Sequence, residues 1–117
     1  MQLWLFAAAW LAAAAMNVAA AETAPATISD PKVNGQPVDR CADIDAQNDC
    51  SARGEAKAAA HVCMENGYKD QTGSHWRAAS GTAEHFVTEY DMHQGEVGGR
   101  WVAAPTQGVF DRVVCQK

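Results

Sequence analysis

Four cysteines constrain this chain more than any other feature: Cys41, Cys50, Cys63 and Cys115. Two of them bracket "CSARGEAKAAAHVC", residues 50 to 63, a stretch whose residues favour a helix. None of the four forms a C-x-x-C pair. The thioredoxin-type and zinc-ribbon readings therefore lack their usual spacing. An even count in a short exported chain reads instead as two disulfides.

The start of the chain bears on export. From Leu3 to Ala15 it is apolar and rich in Ala and Leu, and Ala19-Ala20-Ala21 fits the small-residue cleavage pattern before Glu22. Residues 1–21 are expected to be a secretory signal peptide, although the n-region carries no Lys or Arg. The apolar stretch is near the lower limit for crossing a bilayer, so no stable membrane span is expected after cleavage. A secreted or periplasmic location follows. Residues 22–31, "ETAPATISDP", lack periodicity and read as a flexible lead-in to a single stapled domain over 32–117. The formal net charge is −5, without a basic patch. That argues against nucleic acid as a partner.

Asp49 or Ser51 can cap the helix by accepting from its first exposed amides. Gly67 is placed to stop it in a left-handed conformation. Ala52, Ala56, Ala59, Ala60 and Cys63 recur at helical spacing and predict a buried, small-residue stripe, with Arg53, Lys57, His61 and Glu65 largely on the other side. The helix limits the disulfide pairing. Cys50 and Cys63 would lie about 20 Å apart at 1.5 Å per residue, whereas a bridge needs Cα atoms within roughly 7 Å. Two pairings remain: Cys41–Cys50 with Cys63–Cys115, or Cys41–Cys63 with Cys50–Cys115. Short-range closure is entropically easier and favours the first.

Before the helix, Asn34-Gly35 between Val33 and Val38 signals a tight turn, and Pro37 restricts a strand there to an edge. "ADIDAQND", residues 42 to 49, reads as an acidic loop. After Tyr68, four short runs carry aromatic and β-branched residues: "SHWRAAS", "AEHFVTEYDM", "GRWVAAP" and "GVFDRVVCQ". They predict three or four antiparallel strands, although Phe86, Val87 and Tyr90 also fit one helical face. The expected fold class is α+β, with one helix packed on a small antiparallel sheet of three or four strands.

Candidate chemistry is sparse. An extended strand over 84–93 would put His85, Glu89, Asp91 and His93 on one face, yet His85 and His93 would then be about 26 Å apart. With His61 and His75, these histidines read as surface groups, and no metal ligand set is expected. Asp39, Asp43, Asp45 and Asp49 lack the D-x-D-x-D-G run of a calcium loop. Ser74-His75 is adjacency without a nucleophile elbow, and paired cysteines offer no thiolate. No catalytic residue and no cofactor is expected. The aromatic residues are more suggestive. Trp76, Phe86, Tyr90, Trp101 and Phe110 fall in the strand region, and most are needed for a core. Trp76, Tyr90 and Trp101 are the candidate binding residues, because an exposed ring can stack on a sugar or a partner protein.

"VNGQPVDRC", "DCSARGEAKAAAHVCMENGY" and "GVFDRVVC" together resemble a group of small exported hypothetical proteins. The shared order is N-G-x-x-V-D-x-C, a Cys-led helix ending in C-x-x-x-G-Y, and a terminal strand with Cys. The resemblance spans about residues 33 to 115 and implies export, disulfides and one domain, with no site residues. The expected function is a non-catalytic exported binding or structural module whose partner is a protein or a cell-envelope glycan. The alternatives are a small periplasmic inhibitor of a lytic or other exogenous enzyme, and an exported metal-binding protein.

Overall fold

A computed structural model describes residues 25–117; the expected signal peptide lies outside the described residues. Among the described residues there are one helix and eight strands, in one mixed sheet. In chain order these are β1 (Ala26–Ser29), β2 (Lys32–Val33), β3 (Gln36–Ile44), β4 (Gln47–Asp49), α1 (Ala52–Glu65), β5 (Asp70–Ala78), β6 (Thr82–Asp91), β7 (Gly95–Pro105) and β8 (Gly108–Gln116).

The last four strands form one continuous two-stranded ribbon. β5 pairs with β8 from Asp70↔Gln116 to Ala78↔Gly108, and β6 pairs with β7 from Thr82↔Pro105 to Asp91↔Gly95. The junction keeps its cross-strand bonds: Ala79 N–H donates to Gln107 O at 3.1 Å and Thr106 N–H to Gly81 O at 2.9 Å. Residues 70–91 and 95–116 are thus two arms of one long hairpin, interrupted at 79–81 and 106–107, with its tip at Met92–Gln94.

β3 bridges the interruption. It runs parallel to β6 (Val38↔Glu84, Ala42↔Phe86, Asp43↔Val87) and antiparallel to β8 (Asp39↔Val109). It therefore pairs with the first arm in the β6–β7 half of the ribbon and with the second arm in the β5–β8 half. β1 continues along β8, with Ala26 opposite Cys115.

This corrects the expectation of one helix on a three- or four-stranded antiparallel sheet. The four strands expected after Tyr68 are joined by four more from the N-terminal part, and β3∥β6 makes the sheet mixed. Ala26–Ser29, within the segment expected to be flexible, form β1, because β8 offers its backbone groups there. The expected acidic loop is the end of β3, a turn at Asp45-Ala46, and β4. Pro37 does not confine β3 to an edge. It sits second in the strand, opposite Lys32 of β2, and β3 is flanked by β6 and β8 further along. Residues 84–91 are strand, since pairing on both edges overrides their partial helical pattern.

Local signals position the rest. Asn34 and Gly35 both adopt positive φ, 51° and 77°, and close the β2–β3 hairpin between Val33 and Gln36. Ser51 caps α1 by accepting from Arg53 N–H. At the other end, Gly67 (φ 85°) lets Tyr68 N–H reach Cys63 O at 3.0 Å and Gly67 N–H reach Met64 O at 3.1 Å.

The helix buries Gly54, Ala58, Ala59, Val62 and Cys63 against a core that includes Val38, Ala42, Ile44, Phe110, Val113 and Cys115. The expected stripe is rotated: Ala52 and Ala56 are exposed. Gly54 takes their place because α1 starts directly against β4. A Cβ on Gly54 would lie 1.8 Å from the Asp49 carbonyl oxygen.

The two disulfides are Cys41–Cys50 and Cys63–Cys115. The first continues the β3–β4 register, one step beyond Ala42↔Asp49, with Cα atoms 4.4 Å apart. The second ties α1 to β8 across 52 residues of sequence. A bridge closing so long a loop stabilises a small domain by about 4 kcal/mol in the chain-entropy view.

Two outcomes follow from this packing. Gly54→Ala removes a helix-interior glycine, which propensity alone would reward by about 1 kcal/mol. The contact with Asp49 backbone reverses the sign, and urea denaturation should show a net loss of about 1–3 kcal/mol. The disulfides differ in access, since Cys63 and Cys115 are fully buried and Cys50 is exposed. Mild reductant without denaturant, followed by alkylation and mass analysis, should label Cys41 and Cys50 first; simultaneous labelling of all four would contradict this ordering.

Candidate functional site

Polar side chains concentrate at several places in the fold, and two of these differ in whether the groups are satisfied. The first is at the ribbon junction. Asp39 is buried in β3. Its Oδ1 accepts from Cys41 N–H at 2.7 Å, and its Oδ2 accepts from the Thr106 hydroxyl. Thr106 Oγ1 in turn accepts from Gly108 N–H at 3.2 Å. His85 Nε2 lies 3.0 Å from Pro105 O and 3.4 Å from Asp39 Oδ2. A carbonyl only accepts, so Nε2 carries the proton and points it at two oxygens.

The cluster lines a cleft of about 260 Å³ shared with Arg40, Cys50 and Gln107. An Asp–His–Thr grouping resembles an acid–base constellation. Here, however, the Asp39 oxygens and His85 Nε2 are spent holding β3 to the junction of the ribbon. Cys41 N–H, the Thr106 hydroxyl and His85 Nε2 thus all face the Asp39 carboxylate. The group is a clasp.

The second place is a hollow of about 630 Å³ between the β3–β4 turn and the outer part of β6, lined by Asp43, Asp45, Ala46, Val87, Thr88 and Tyr90. The register places it: Asp43 lies opposite Val87, and Asp45 N–H donates to Thr88 Oγ1 at 3.2 Å. Asp45 and Ala46 both take positive φ, 53° and 64°. Ala46 stands in a left-handed position where glycine is usual, at a cost of about 1–2 kcal/mol. Tyr90 is 63% exposed. Asp43 Oδ1 is buried and has no hydrogen-bond partner. The lining residues include two carboxylates and no cation.

The candidate binding residues Trp76, Tyr90 and Trp101 do not converge. Trp76 lies opposite Phe110 in the β5–β8 half, with the Arg40 guanidinium 3.8 Å above its ring. Arg40 Nη1 also bonds Glu55 Oε1 at 2.9 Å and Cys50 O at 3.1 Å. Trp101 is half-buried and packs edge-on against Phe86, 5.2 Å between centroids, with Nε1 donating to Glu65 Oε1 at 3.2 Å. Only Tyr90 borders the hollow. Asp43 and Asp45 belong with it; sequence reasoning weighed both only as calcium ligands. The signal that could have found them is the two-residue Asp45-Ala46 turn, which pulls them beside β6.

The histidines are dispersed. His75 Nδ1 pairs with Asp111 at 2.9 Å, and His93 sits in the tip turn, its N–H bonded to Asp91 Oδ1 at 2.8 Å. Among the described residues no three metal-ligating side chains come together. His61, expected on the outer side of α1, stacks on Phe86 with centroids 3.6 Å apart. Beside it, Lys57 bonds Glu96 at 2.8 Å. The supposed outer flank of the helix therefore anchors the β6–β7 end of the ribbon.

Burial against Phe86 holds His61 below the ordinary imidazole value of 6.5, and Lys57 adds to this; Glu96 and Glu65 oppose it more weakly. The unfolded chain therefore binds more protons than the folded one just below pH 6.5. Stability from neutral His61 is present above that pH and lost as pH falls through the lower, folded value. The melting temperature should drop between pH 7 and pH 5. In His61→Phe, which keeps a stacked ring, that drop should shrink.

Comparison with protein-family models, with curated proteins and with solved structures gives no match for this chain.

Proposed function

We propose that the protein is an exported, non-catalytic binding module that meets its partner with the Tyr90 end of the ribbon. The observation that carries this reading is an exposed tyrosine beside a 630 Å³ hollow whose wall holds an unpartnered, buried carboxylate oxygen. Ligand sites are concave, with a few placed polar groups, and exposed tyrosines are favoured contact residues. The tip just beyond adds apolar surface: Met92 is 89% exposed and Val97 53%. That surface favours a protein over a cell-envelope glycan as partner.

Export rests on the apolar start of the chain and on the likeness to small exported proteins. The two disulfides fit it, and no helix among the described residues is long and apolar enough to cross a membrane. The non-catalytic reading is supported by the closed bonding of the Asp39–His85–Thr106 cluster, the arrangement closest to an acid–base site. A second reading, inhibition of a lytic or other exogenous enzyme, draws on the same tip and on the net charge of −5, which would steer a cationic target inward.

Retention of envelope components on immobilised protein tests the proposal. A partner held by wild type and by Trp76→Ala should be held about tenfold more weakly by Tyr90→Ala. Equal retention by all three would overturn the assignment of the Tyr90 end. Stoichiometric loss of a lytic enzyme's activity would move the reading to inhibition.

A further inference from the structure

The two disulfides sit in different surroundings. Cys63 and Cys115 are fully buried members of the core. Cys41–Cys50 lies at the margin of the sheet. Cys41 is nearly buried, Cys50 is exposed, and both line the junction cleft with Arg40, Asn48 and His85. Asn48 Nδ2 donates to Cys50 Sγ at 3.5 Å. The segment closed by this bridge is the end of β3, the Asp45-Ala46 turn and β4. Its strand pairing is brief: Ala42↔Asp49, Asp43↔Asn48 and Ile44↔Gln47.

We propose that Cys41–Cys50 is an exchangeable disulfide, a site of reversible reduction by a protein dithiol, while Cys63–Cys115 is a permanent staple. This goes beyond the binding reading and does not use the Tyr90 end. Access is the first argument. Exchange needs a thiolate to reach a sulfur, and Cys50 is the exposed partner. Attack on Cys50 Sγ forms a mixed disulfide with the partner and breaks the Cys41–Cys50 bond; Cys41 leaves as a thiolate and takes up a proton. The partner's second thiolate then attacks its own sulfur in the mixed disulfide, and Cys50 leaves and takes up a second proton. The partner dithiol is thereby oxidised to a disulfide, and two electrons and two protons have passed to Cys41 and Cys50. The Asn48 amide is already placed to donate to the departing Cys50 sulfur.

Room is the second argument. Two thiols occupy more space than one bridge. In the core that expansion meets the cost of overpacking. At the margin it is taken up by β4, which has β3 alone as its sheet neighbour. Opening also frees Ala46 from a left-handed conformation, φ 64°. The third argument is what remains. With Cys41–Cys50 reduced, Cys63–Cys115 still ties α1 to β8, and Asp39 still accepts from Cys41 N–H and the Thr106 hydroxyl. The reduced form is therefore a folded domain opened between Cys41 and the start of α1. Exposed bridges with a tolerated reduced form have the more oxidising potentials.

The test is equilibration of the full chain in glutathione redox buffers without denaturant, followed by alkylation and peptide mass analysis. Half-reduction of Cys41–Cys50 should come at a [GSH]²/[GSSG] ratio about tenfold or more below that for Cys63–Cys115, which is about 30 mV. Amide NMR of the half-reduced protein should keep the folded spectrum, with its largest shifts between Cys41 and Arg53. A thioredoxin-type dithiol protein with its second cysteine replaced by serine serves as the trapping probe. It should be captured as a mixed disulfide on Cys50. The double variant Cys41→Ser, Cys50→Ser should fold with Cys63–Cys115 formed and give the same amide pattern. Reduction of both bridges at one ratio would overturn the proposal, as would loss of the folded spectrum with the first bridge or capture at any other sulfur. A double variant that fails to fold would do the same, because Cys41–Cys50 would then be a staple like its counterpart.

Discussion

The buried carboxylate of Asp39 is the constraint on which the rest of the architecture depends. A two-stranded ribbon as long as residues 70–116 is marginal by itself, because it has a face but nothing to bury it against. It becomes part of a domain only when another strand crosses its junction and fixes the angle there. β3 does this, and Asp39 supplies the attachment by taking donors from its own strand and from the junction at once: Cys41 N–H and the Thr106 hydroxyl. A buried carboxylate is tolerable only when bonded in this way. With β3 in place, Val38, Ala42 and Ile44 face α1, and one core forms beneath both halves of the ribbon.

The disulfides secure what the clasp arranges. Cys41–Cys50 lies next to Asp39 in sequence and holds β3 to the chain entering α1; Cys63–Cys115 holds the later half of α1 to β8. Each bridge thus joins the helix region to one of the two strands that Asp39 and Val109 bring together. The core is small, and seven of its twelve buried members are Ala, Cys or Phe rather than branched aliphatics. In a domain with so modest a core, covalent ties contribute a large share of the margin.

The sequence was legible where the physics is local. The helix, its Ser51 cap, the Gly67 stop and the Asn34-Gly35 turn each follow from residues within a few positions of one another. Helix length also removed one of the three disulfide pairings, and loop closure favoured the one observed. What was not legible depends on distant partners. β1 and β4 have weak strand character and exist because β8 and β3 offer open edges. The parallel β3–β6 pairing leaves no local mark. The orientation of α1 was misread because alanine count was taken as the sign of burial, whereas Gly54 and Val62 mark the inner face. The candidate site was legible in one residue of three: Tyr90 was named for binding, but nothing local joins it to Asp43 and Asp45.

The two polar regions differ in how far their groups satisfy one another. At the junction, hydroxyl, carboxylate, imidazole and backbone groups close on one another, and that closure is what a load on the fold requires. At the Tyr90 hollow, a left-handed alanine, an exposed ring and an unpartnered oxygen persist together. Each raises the free energy of the isolated domain, and none helps to hold the ribbon. Strained backbone and unsatisfied polar groups persist where surrounding structure over-determines them, and they cluster at ligand sites. Glu84 Oε2 likewise lacks a partner, within the sheet opposite Val38 and Ala103, and Asp43 lies opposite Val87 at the rim of the hollow. The clasp and the staples supply the stability that lets the distal end carry these unsatisfied groups.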